Sequence, residues 1–252
     1  GGVRLATADA RAVRAHLPGE TALVGLAGDA DVRVSGTDGA WVVRTSGGIA
    51  EVELRPGAPG AHQACNAAMA VEVAARVFGI DRAVAAVGVG LAELPEMRMS
   101  RSVVRLDGGE AVVVNDAYNA NPESVRAAVD LLASGALDGP GVVRRVLVLG
   151  DMLELGGASA EIHCETVDLV RGAGDRIGAV WLVGSLMAGA GADGAWMRCE
   201  PEASDAACAR IAGSVEAGDV VLVKGSRGVR LERVAAAIAA RGGVGAGVEG
   251  TV

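Results

Sequence analysis

Aromatic residues and long apolar runs are scarce in this sequence of 252 residues. Three tryptophans, one tyrosine and one phenylalanine make up 2% of the chain, so aliphatic side chains must build the core. No stretch approaches the roughly 18 to 20 apolar residues that cross a bilayer, which argues against a membrane span. Because 51% of the residues are hydrophobic and 21% are charged, we expect a globular chain.

Lysine is nearly missing, and the charge balance is acidic. Of the 23 basic residues only Lys224 is a lysine, and the formal net charge at pH 7 is -8. An acidic protein repels phosphate polymers, so nucleic acid is a poor candidate partner. The sequence starts Gly1-Gly2-Val3 without a basic leader or an apolar export segment, and a cytoplasmic location is expected.

Several motifs are missing as well. The four cysteines stand far apart without C-x-x-C spacing, so we expect reduced thiols in the core and no metal site: Cys65, Cys164, Cys199 and Cys208. No G-x-G-x-x-G follows a predicted strand, which argues against NAD binding. No G-x-x-x-x-G-K-[ST] occurs either, so the chain contains no Walker loop.

Short alternating runs dominate the first part of the sequence. Separated by Gly, Asp and Ser, they predict antiparallel strands or hairpins at residues 23–26, 32–34, 41–44 and 50–55. Apolar residues then keep a helical period over 64–78, and Gly79 marks the end of that helix. A second helix is predicted over 82–94, ended by Pro95.

Almost continuous apolar runs alternate with helical patterns in the second part. Strands buried on both faces of a parallel sheet are predicted at 112–114, 146–149, 180–183 and 220–223. Helices are predicted at 122–132, 159–171, 203–215 and 231–240. This alternation predicts an α/β fold with a doubly wound sheet, beginning near Pro95 to Arg101, and a disordered Gly-rich tail over 243–252.

Polar side chains follow two of the predicted parallel strands, at the edge where open α/β sheets hold ligands. In the first segment, Asn115 to Ser124, helix capping accounts for Asn121 but not for Asp116 or Tyr118. A carboxylate suits ribose hydroxyls, and a tyrosine ring packs on other rings. The second segment, Lys224-Gly225-Ser226-Arg227, predicts a site for a carboxylate or phosphate, with a solvated turn as the alternative.

Two more polar residues lie inside predicted helices. His163 is either a half-buried histidine with satisfied hydrogen bonds or a catalytic base, and the sequence shows no partner for the second role. Asn66 shares a helix face with His62 and needs a hydrogen-bond partner in its Ala-rich surroundings. It is either a ligand-binding amide or a core amide bonded to backbone.

Four blocks resemble, in order and spacing, the Mur ligases of peptidoglycan synthesis. They are GAHQACNAAMA (Gly60–Ala70), NDAYNANPES (Asn115–Ser124), VLGDMLELG (Val148–Gly156) followed by His163, and KGSRGVRLE (Lys224–Glu232). The resemblance implies a Rossmann-like C-terminal domain with a mostly parallel sheet over 97–242. Before it, at 1–96, the resemblance implies the last portion, short strands plus helices, of the family's central ATP-binding domain.

The resemblance also implies an activity: ATP-dependent addition of D-alanyl-D-alanine to UDP-N-acetylmuramoyl-tripeptide through an acyl phosphate, assisted by Mg²⁺. The family's phosphate loop, magnesium ligands and UDP-sugar domain have no counterpart in the blocks. The chain alone is therefore expected to be inactive. The alternatives are a nucleotide- or peptide-binding module without catalysis, and a sister Mur ligase or folylpolyglutamate synthase.

Carried over by motif, the resemblance assigns residues to the nucleotide. Asn66 would bind adenine, Asp116 the ribose, and Tyr118 would stand beside them. Arg101 would reach the ATP phosphates as a catalytic residue. The family usually has Gly before this arginine, whereas Ser100 stands here, so the role could belong to Arg98 instead.

The remaining assignments concern the incoming amine. Lys224, as a catalytic residue, would act with Ser226 and Arg227 to hold the dipeptide or the acyl phosphate. Asn119 and Asn121 would line the closing face of the site. No metal ligand is assigned within this chain.

Overall fold

A computed structural model of the chain describes residues 5–7, 22–26, 30–37, 40–45, 51–56, 60–92, 96–191 and 195–242. The chain divides into two units, Gly1–Glu93 and Leu94–Gly250, and both mix strands with helices as predicted. The predicted tail over 243–252 and Pro95 lie outside the described residues. The assignment of 1–96 and 97–242 to two ligase domains stays a prediction.

The first unit contains a five-stranded sheet, whose strands follow one another in chain order across the sheet. These strands are β1 (Leu5–Thr7), β2 (Ala22–Gly25), β3 (Val32–Thr37), β4 (Ala40–Thr45) and β5 (Glu51–Leu54). The β3–β4 and β4–β5 pairs are antiparallel as predicted, but β1, β2 and β3 are parallel. The sequence did not predict β1. The prediction was wrong for the β2–β3 pair, because alternation shows which face is buried and not which way a strand runs.

Two helices lie among the described residues of the first unit. α1 (Ala61–Phe78) ends at Gly79 in the left-handed conformation, φ 68°, as the sequence predicted. α2 (Arg82–Leu91) begins at Asp81, whose carboxylate accepts two backbone N–H groups, and it ends before the predicted Leu94. Small apolar side chains of α1 pack with strand residues in one core: Val24, Val34, Trp41, Leu54, Ala64, Ala68 and Val71.

The second unit contains a six-stranded sheet in the order β10-β9-β8-β11-β7-β6. Its strands are β6 (Ser100–Leu106), β7 (Gly109–Asp116), β8 (Arg144–Gly150), β9 (Ala179–Val183), β10 (Met197–Glu200) and β11 (Asp219–Lys224). Every neighbouring pair is parallel except the β6–β7 hairpin. The four predicted strands are confirmed. The edge strands β6 and β10 were missed because they carry no continuous apolar run.

Helices cover both faces of this sheet. They are α3 (Pro122–Ser134), α4 (Ser159–Ala173), α5 (Ser185–Gly189), α6 (Asp205–Gly213) and α7 (Glu232–Arg241). Val113, Val148 and Val223 point to one face and pack with residues of α6 and α7. Their neighbours Leu149 and Leu222 point to the other face and are fully buried too. No helix in the described parts of the chain is long and apolar enough to cross a membrane.

The strand order brings the last strand into the middle of the sheet. β11 pairs with β7 on one side and with β8 on the other, so Lys224 lies opposite both Asp116 and Leu149. The helices that follow β7 and β11 lie on opposite faces. A crevice for ligands is expected between two strands connected in this way, at their carboxyl ends.

Candidate active site

An ion pair joins the carboxyl ends of β7 and β11. Lys224 Nζ donates to Asp116 Oδ2 at 2.7 Å and to the Asn119 carbonyl oxygen at 3.1 Å. The other oxygen of the carboxylate, Oδ1, accepts the N–H of Met99 at 3.2 Å. The Lys224 side chain is 3% exposed and that of Asp116 is 16% exposed. An ammonium group has three N–H donors, so one N–H of Lys224 makes no hydrogen bond with a described residue.

The ring of Tyr118 lies between two guanidinium groups. Arg98 Cζ is 4.0 Å from the ring centroid and Arg227 Cζ is 5.5 Å from it, both within cation–π range. Tyr118 is 37% exposed, and the two arginines make no salt bridge with any described carboxylate. Two unpaired planar cations beside an exposed ring form a site suited to an anion.

Two methionines place Arg98 in this position. Met97 and Met99 both adopt the left-handed conformation, with φ 61° and 56°, which is unusual for residues other than glycine. The turn is held by the Tyr118 N–H, which donates to the Met97 carbonyl oxygen at 3.1 Å. Such backbone strain concentrates at functional sites, where surrounding contacts hold it.

Arg101 lies elsewhere in the second unit. It stands on β6, and its Nη2 is 2.9 Å from the point that a Cβ on Gly139 would occupy. Gly139 belongs to the loop between α3 and β8, and its Cβ position is 4.0 Å from Val112 Cγ2 in the middle of β7. The structure therefore brings Arg98 to the ring of Tyr118, whereas the Arg101 guanidinium lies against another loop.

Ser226 joins three loops through its own hydrogen bonds. It is 4% exposed, and its Oγ accepts the Leu153 N–H at 3.0 Å and donates to the Ala120 carbonyl oxygen at 3.4 Å. Its N–H donates to the Asp151 carbonyl oxygen at 3.1 Å. The hydroxyl group that was predicted to hold substrate is thus engaged within the protein.

Asn119 and Asn121 also use their side chains locally. Asn121 Oδ1 accepts the Ser124 N–H at 2.8 Å, and the Asn121 N–H donates to Ser124 Oγ at 3.1 Å, a capping box at the start of α3. Asn119 Oδ1 accepts the Ala120 N–H at 2.9 Å. Both residues remain exposed.

His163 is fully buried in α4 and hydrogen-bonded through both ring nitrogens. Nδ1 lies 2.6 Å from the Ser159 carbonyl oxygen, which only accepts, so Nδ1 carries the proton. Nε2 lies 3.0 Å from the Met152 backbone nitrogen, whose N–H donates to it. The Nε2 lone pair, which a catalytic base would need, already accepts a hydrogen bond. The geometry therefore fits a histidine whose hydrogen bonds are satisfied within the protein.

Asn66 is exposed on α1, and its side chain makes no hydrogen bond with any described residue, so the core-amide interpretation was wrong. The described cysteines form no disulfide bond. Only Cys208 is buried, where burial raises its pKa, and Cys164 is exposed on α4. The described residues contain no group of three or more side chains that could hold a metal ion.

The sequence profile of the Mur ligase glutamate ligase domain matches residues 97–227, more than half of the chain. The chain belongs to the Mur ligase family. This Mur ligase chain is 36% identical over 182 residues to the UDP-N-acetylmuramoyl-tripeptide--D-alanyl-D-alanine ligase of Bacillus subtilis (strain 168), covering 69% of the chain and 37% of the relative. The Mycobacterium tuberculosis (strain H37Rv) protein of the same name is 35% identical over 208 residues. The match covers 76% of this chain and 40% of that protein.

Solved structures support the fold of this Mur ligase chain. The MurF ligase from Thermotoga maritima, in complex with ADP, has a TM-score of 0.70 at 22% identity, covering 96% of this chain and 54% of that one. MurF from Acinetobacter baumannii has a TM-score of 0.67 at 21% identity, and the match covers 95% of this chain and 52% of that one. These likenesses confirm the Rossmann-like fold of the second unit. This chain spans about 40% of the length of the curated relatives.

Asp151, which follows β8 in this Mur ligase, was not predicted as a structural residue. Its carboxylate accepts the N–H groups of Leu186 and Met187 at 3.3 and 2.7 Å, at the start of α5. Gly184 lies directly against this carboxyl group with φ 115°, and a Cβ at Gly184 would overlap it. The only sequence signal was a glycine before a short helix.

Proposed function

We propose that this chain is part of an ATP-dependent ligase that adds D-alanyl-D-alanine to UDP-N-acetylmuramoyl-tripeptide. The names of the relatives at 36% and 35% identity support the substrates. The observation that carries the proposal is the convergence of three cations, Lys224, Arg98 and Arg227, around Asp116 and Tyr118. A site of this charge suits the phosphates and carboxylates of such a reaction.

In this proposal Asp116 holds the ribose of ATP. Each of its oxygens accepts one hydrogen bond from the protein, Oδ1 from Met99 and Oδ2 from Lys224. A carboxylate oxygen has two lone pairs, so each oxygen can accept one ribose hydroxyl as well. The exposed ring of Tyr118 borders the same space. Mg²⁺ would accompany the phosphates of ATP, and we assign no residue of this chain to it.

The dipeptide end of the site is formed by Lys224 and Arg227. The third N–H of Lys224 and the Arg227 guanidinium would hold the carboxylate of D-alanyl-D-alanine or the acyl phosphate. In the reaction, a tripeptide carboxylate oxygen bonds to the γ-phosphorus of ATP and ADP leaves. The dipeptide amine then bonds to the acyl carbon and phosphate leaves, while these cations offset the developing negative charge.

We propose further that Arg98 and not Arg101 takes the role of the arginine near the ATP phosphates. Arg98 stacks on Tyr118, two residues after Asp116, whereas Arg101 lies against Gly139. Neither arginine follows the usual Gly, since Met97 precedes Arg98 and Ser100 precedes Arg101, so the proposal depends on where the two guanidinium groups lie.

The decisive experiment uses the full-length product of the reading frame that encodes this chain. Phosphate release is measured with ATP and Mg²⁺ while each amine is given with its own acceptor. These pairs are UDP-N-acetylmuramoyl-tripeptide with D-alanyl-D-alanine, UDP-N-acetylmuramoyl-L-alanyl-D-glutamate with meso-diaminopimelate, and UDP-N-acetylmuramoyl-L-alanine with D-glutamate. The proposal predicts release that depends on both the tripeptide and D-alanyl-D-alanine. Release with another amine would indicate a sister ligase, and ligand binding without any release would indicate a binding module. The 252-residue chain alone is predicted to release none.

A further inference from the structure

A chain of hydrogen bonds leads from buried His163 to the loop that carries Lys224 and Arg227. His163 Nε2 accepts the Met152 N–H at 3.0 Å. The next N–H, of Leu153, donates to Ser226 Oγ at 3.0 Å. Two consecutive amides of one loop thus contact the histidine on one side and the serine on the other.

The loop between β8 and α4 needs such support because its backbone is strained. Glu154 adopts the left-handed conformation with φ 66°, followed by Gly156 with φ 61°. A non-glycine residue holds that conformation only where surrounding contacts fix it. Met152, whose side chain is fully buried, lies immediately before this turn.

The far end of the chain of contacts reaches the proposed binding residues. Ser226 stands between Lys224 and Arg227, and its Oγ also donates to the Ala120 carbonyl oxygen at 3.4 Å. The carbonyl oxygen of Asn119, the residue before Ala120, accepts a hydrogen bond from Lys224 Nζ at 3.1 Å. The loops after β7, β8 and β11 are therefore connected through Ser226, and the loop after β8 is anchored by His163.

We propose that His163 is a positioning residue: through the Met152 N–H it fixes the loop after β8, and that loop fixes Ser226 and the dipeptide-holding groups on either side of it. The role of the loop in holding the dipeptide depends on the function proposed above. The imidazole itself touches no substrate, because it is fully buried and both of its nitrogens are engaged.

Two substitutions of His163 distinguish the hydrogen bond made by Nε2 from the one made by Nδ1. In H163Q the longer side chain places an amide oxygen near the position of Nε2, where it can accept the Met152 N–H. In H163N the shorter amide can reach only the Ser159 carbonyl oxygen, in place of Nδ1, and leaves Met152 without its acceptor. The pair therefore tests the bond to Met152 rather than the presence of a polar group in the core.

The first measurement is amide hydrogen exchange on the 252-residue chain. We expect Met152 and Leu153 to exchange about tenfold faster or more in H163N, with H163Q close to wild type and the β8 amides unchanged. Equal protection of Met152 in H163N and wild type would overturn the proposal, as would equal loss in both variants.

Further measurements decide the question if H163N does not fold. Nitrogen-15 NMR of the wild-type imidazole must show the proton on Nδ1 and a lone pair on Nε2, and the opposite tautomer would overturn the proposal. In Ser226→Ala, Leu153 must exchange faster while Met152 remains protected. An unchanged Leu153 would show that the link to Ser226 does not exist.

The last measurement is kinetic and uses the full-length ligase. H163N should raise the KM for D-alanyl-D-alanine about tenfold, with a smaller change in kcat, and H163Q should restore it. A loosened loop with an unchanged KM would contradict the positioning role. If the wild-type ligase does not use this dipeptide, the proposed function fails, while the exchange experiment still reports on the hydrogen-bond chain.

Discussion

Lys224 Nζ and Asp116 Oδ2 lie 2.7 Å apart although 108 positions separate the two residues in the sequence. The carboxylate proposed to hold the ribose is thus paired with the ammonium proposed to hold the dipeptide. A nucleotide that binds Asp116 acts on the same pair that a dipeptide contacts through Lys224. We therefore expect the two ligands to affect each other's affinity.

Replacing Lys224 alone should destabilise the second unit. In K224M the Asp116 carboxylate, largely buried, loses its partner, and we expect a loss of about 2–4 kcal/mol in the free energy of unfolding. The double variant D116N/K224M removes both charges and should recover most of that loss. Urea unfolding, monitored by hydrogen exchange of the β7 and β11 amides, measures the free energy of unfolding of this unit alone. Additive losses would show that the pair is not coupled.

Arg98 and Arg101 form a matched pair of substitutions. R98A removes an unpaired cation beside Tyr118 and should lower kcat/KM of the full-length ligase for ATP by about 10- to 100-fold, the range for one charge-assisted contact. R101A, whose guanidinium lies against Gly139, should stay within about twofold. The reverse ranking would return the nucleotide role to Arg101.

Gly184 is expected to tolerate no side chain. G184A places a Cβ in the Asp151 carboxyl group at φ 115° and should cost the second unit about 2–4 kcal/mol, because the carboxylate can no longer cap α5. Gly189, in the same helix and with open space around it, is the control: G189A should be neutral or stabilising by up to ~1 kcal/mol. Thermal unfolding that ranks the two variants equally would contradict this account of Asp151.

The first unit should lose stability in acid through Glu72. Burial raises the pKa of Glu72, but hydrogen bonds from Arg82 and Arg76 outweigh it and hold the pKa below its ordinary value. A carboxyl group with a lowered pKa stabilises the fold above its unfolded pKa of about 4.3 and loses that effect as the pH falls through its folded pKa. The protection factors of the α1 amides, corrected for the pH dependence of intrinsic exchange, should therefore fall steeply below about pH 4 in wild type.

The control for this prediction is the exposed pair formed by Glu53 and Arg55. E72Q should cost about 1–3 kcal/mol at neutral pH and abolish the acid dependence. E53Q should change the free energy of unfolding by less than about 0.5 kcal/mol and leave the acid dependence in place. An acid dependence that survives in E72Q would assign it to another carboxylate.

The sequence predicted the central strands of the second unit well because runs such as Val146 to Leu149 are apolar without interruption. It failed at β6, where Arg101 and Ser102 are exposed and the strand pairs only on one side. Strand direction in the first unit was missed for a related reason. Side-chain alternation is the same in parallel and antiparallel pairs.

The candidate site was only partly predictable. Asp116 and Lys224 were each placed at a strand end, but their contact requires β11 to lie beside β7, which depends on the order of strands in the sheet. The position of Arg98 depends on two left-handed methionines, Met97 and Met99, a conformation that their side chains disfavour and that no sequence pattern indicates.

The most direct test of the central claim is a crystal structure of the full-length ligase with ADP and D-alanyl-D-alanine bound. The account predicts ribose hydroxyls on Asp116, and the dipeptide carboxylate within hydrogen-bond distance of Lys224 Nζ and the Arg227 guanidinium. A nucleotide or a dipeptide bound away from the carboxyl ends of β7 and β11 would contradict it.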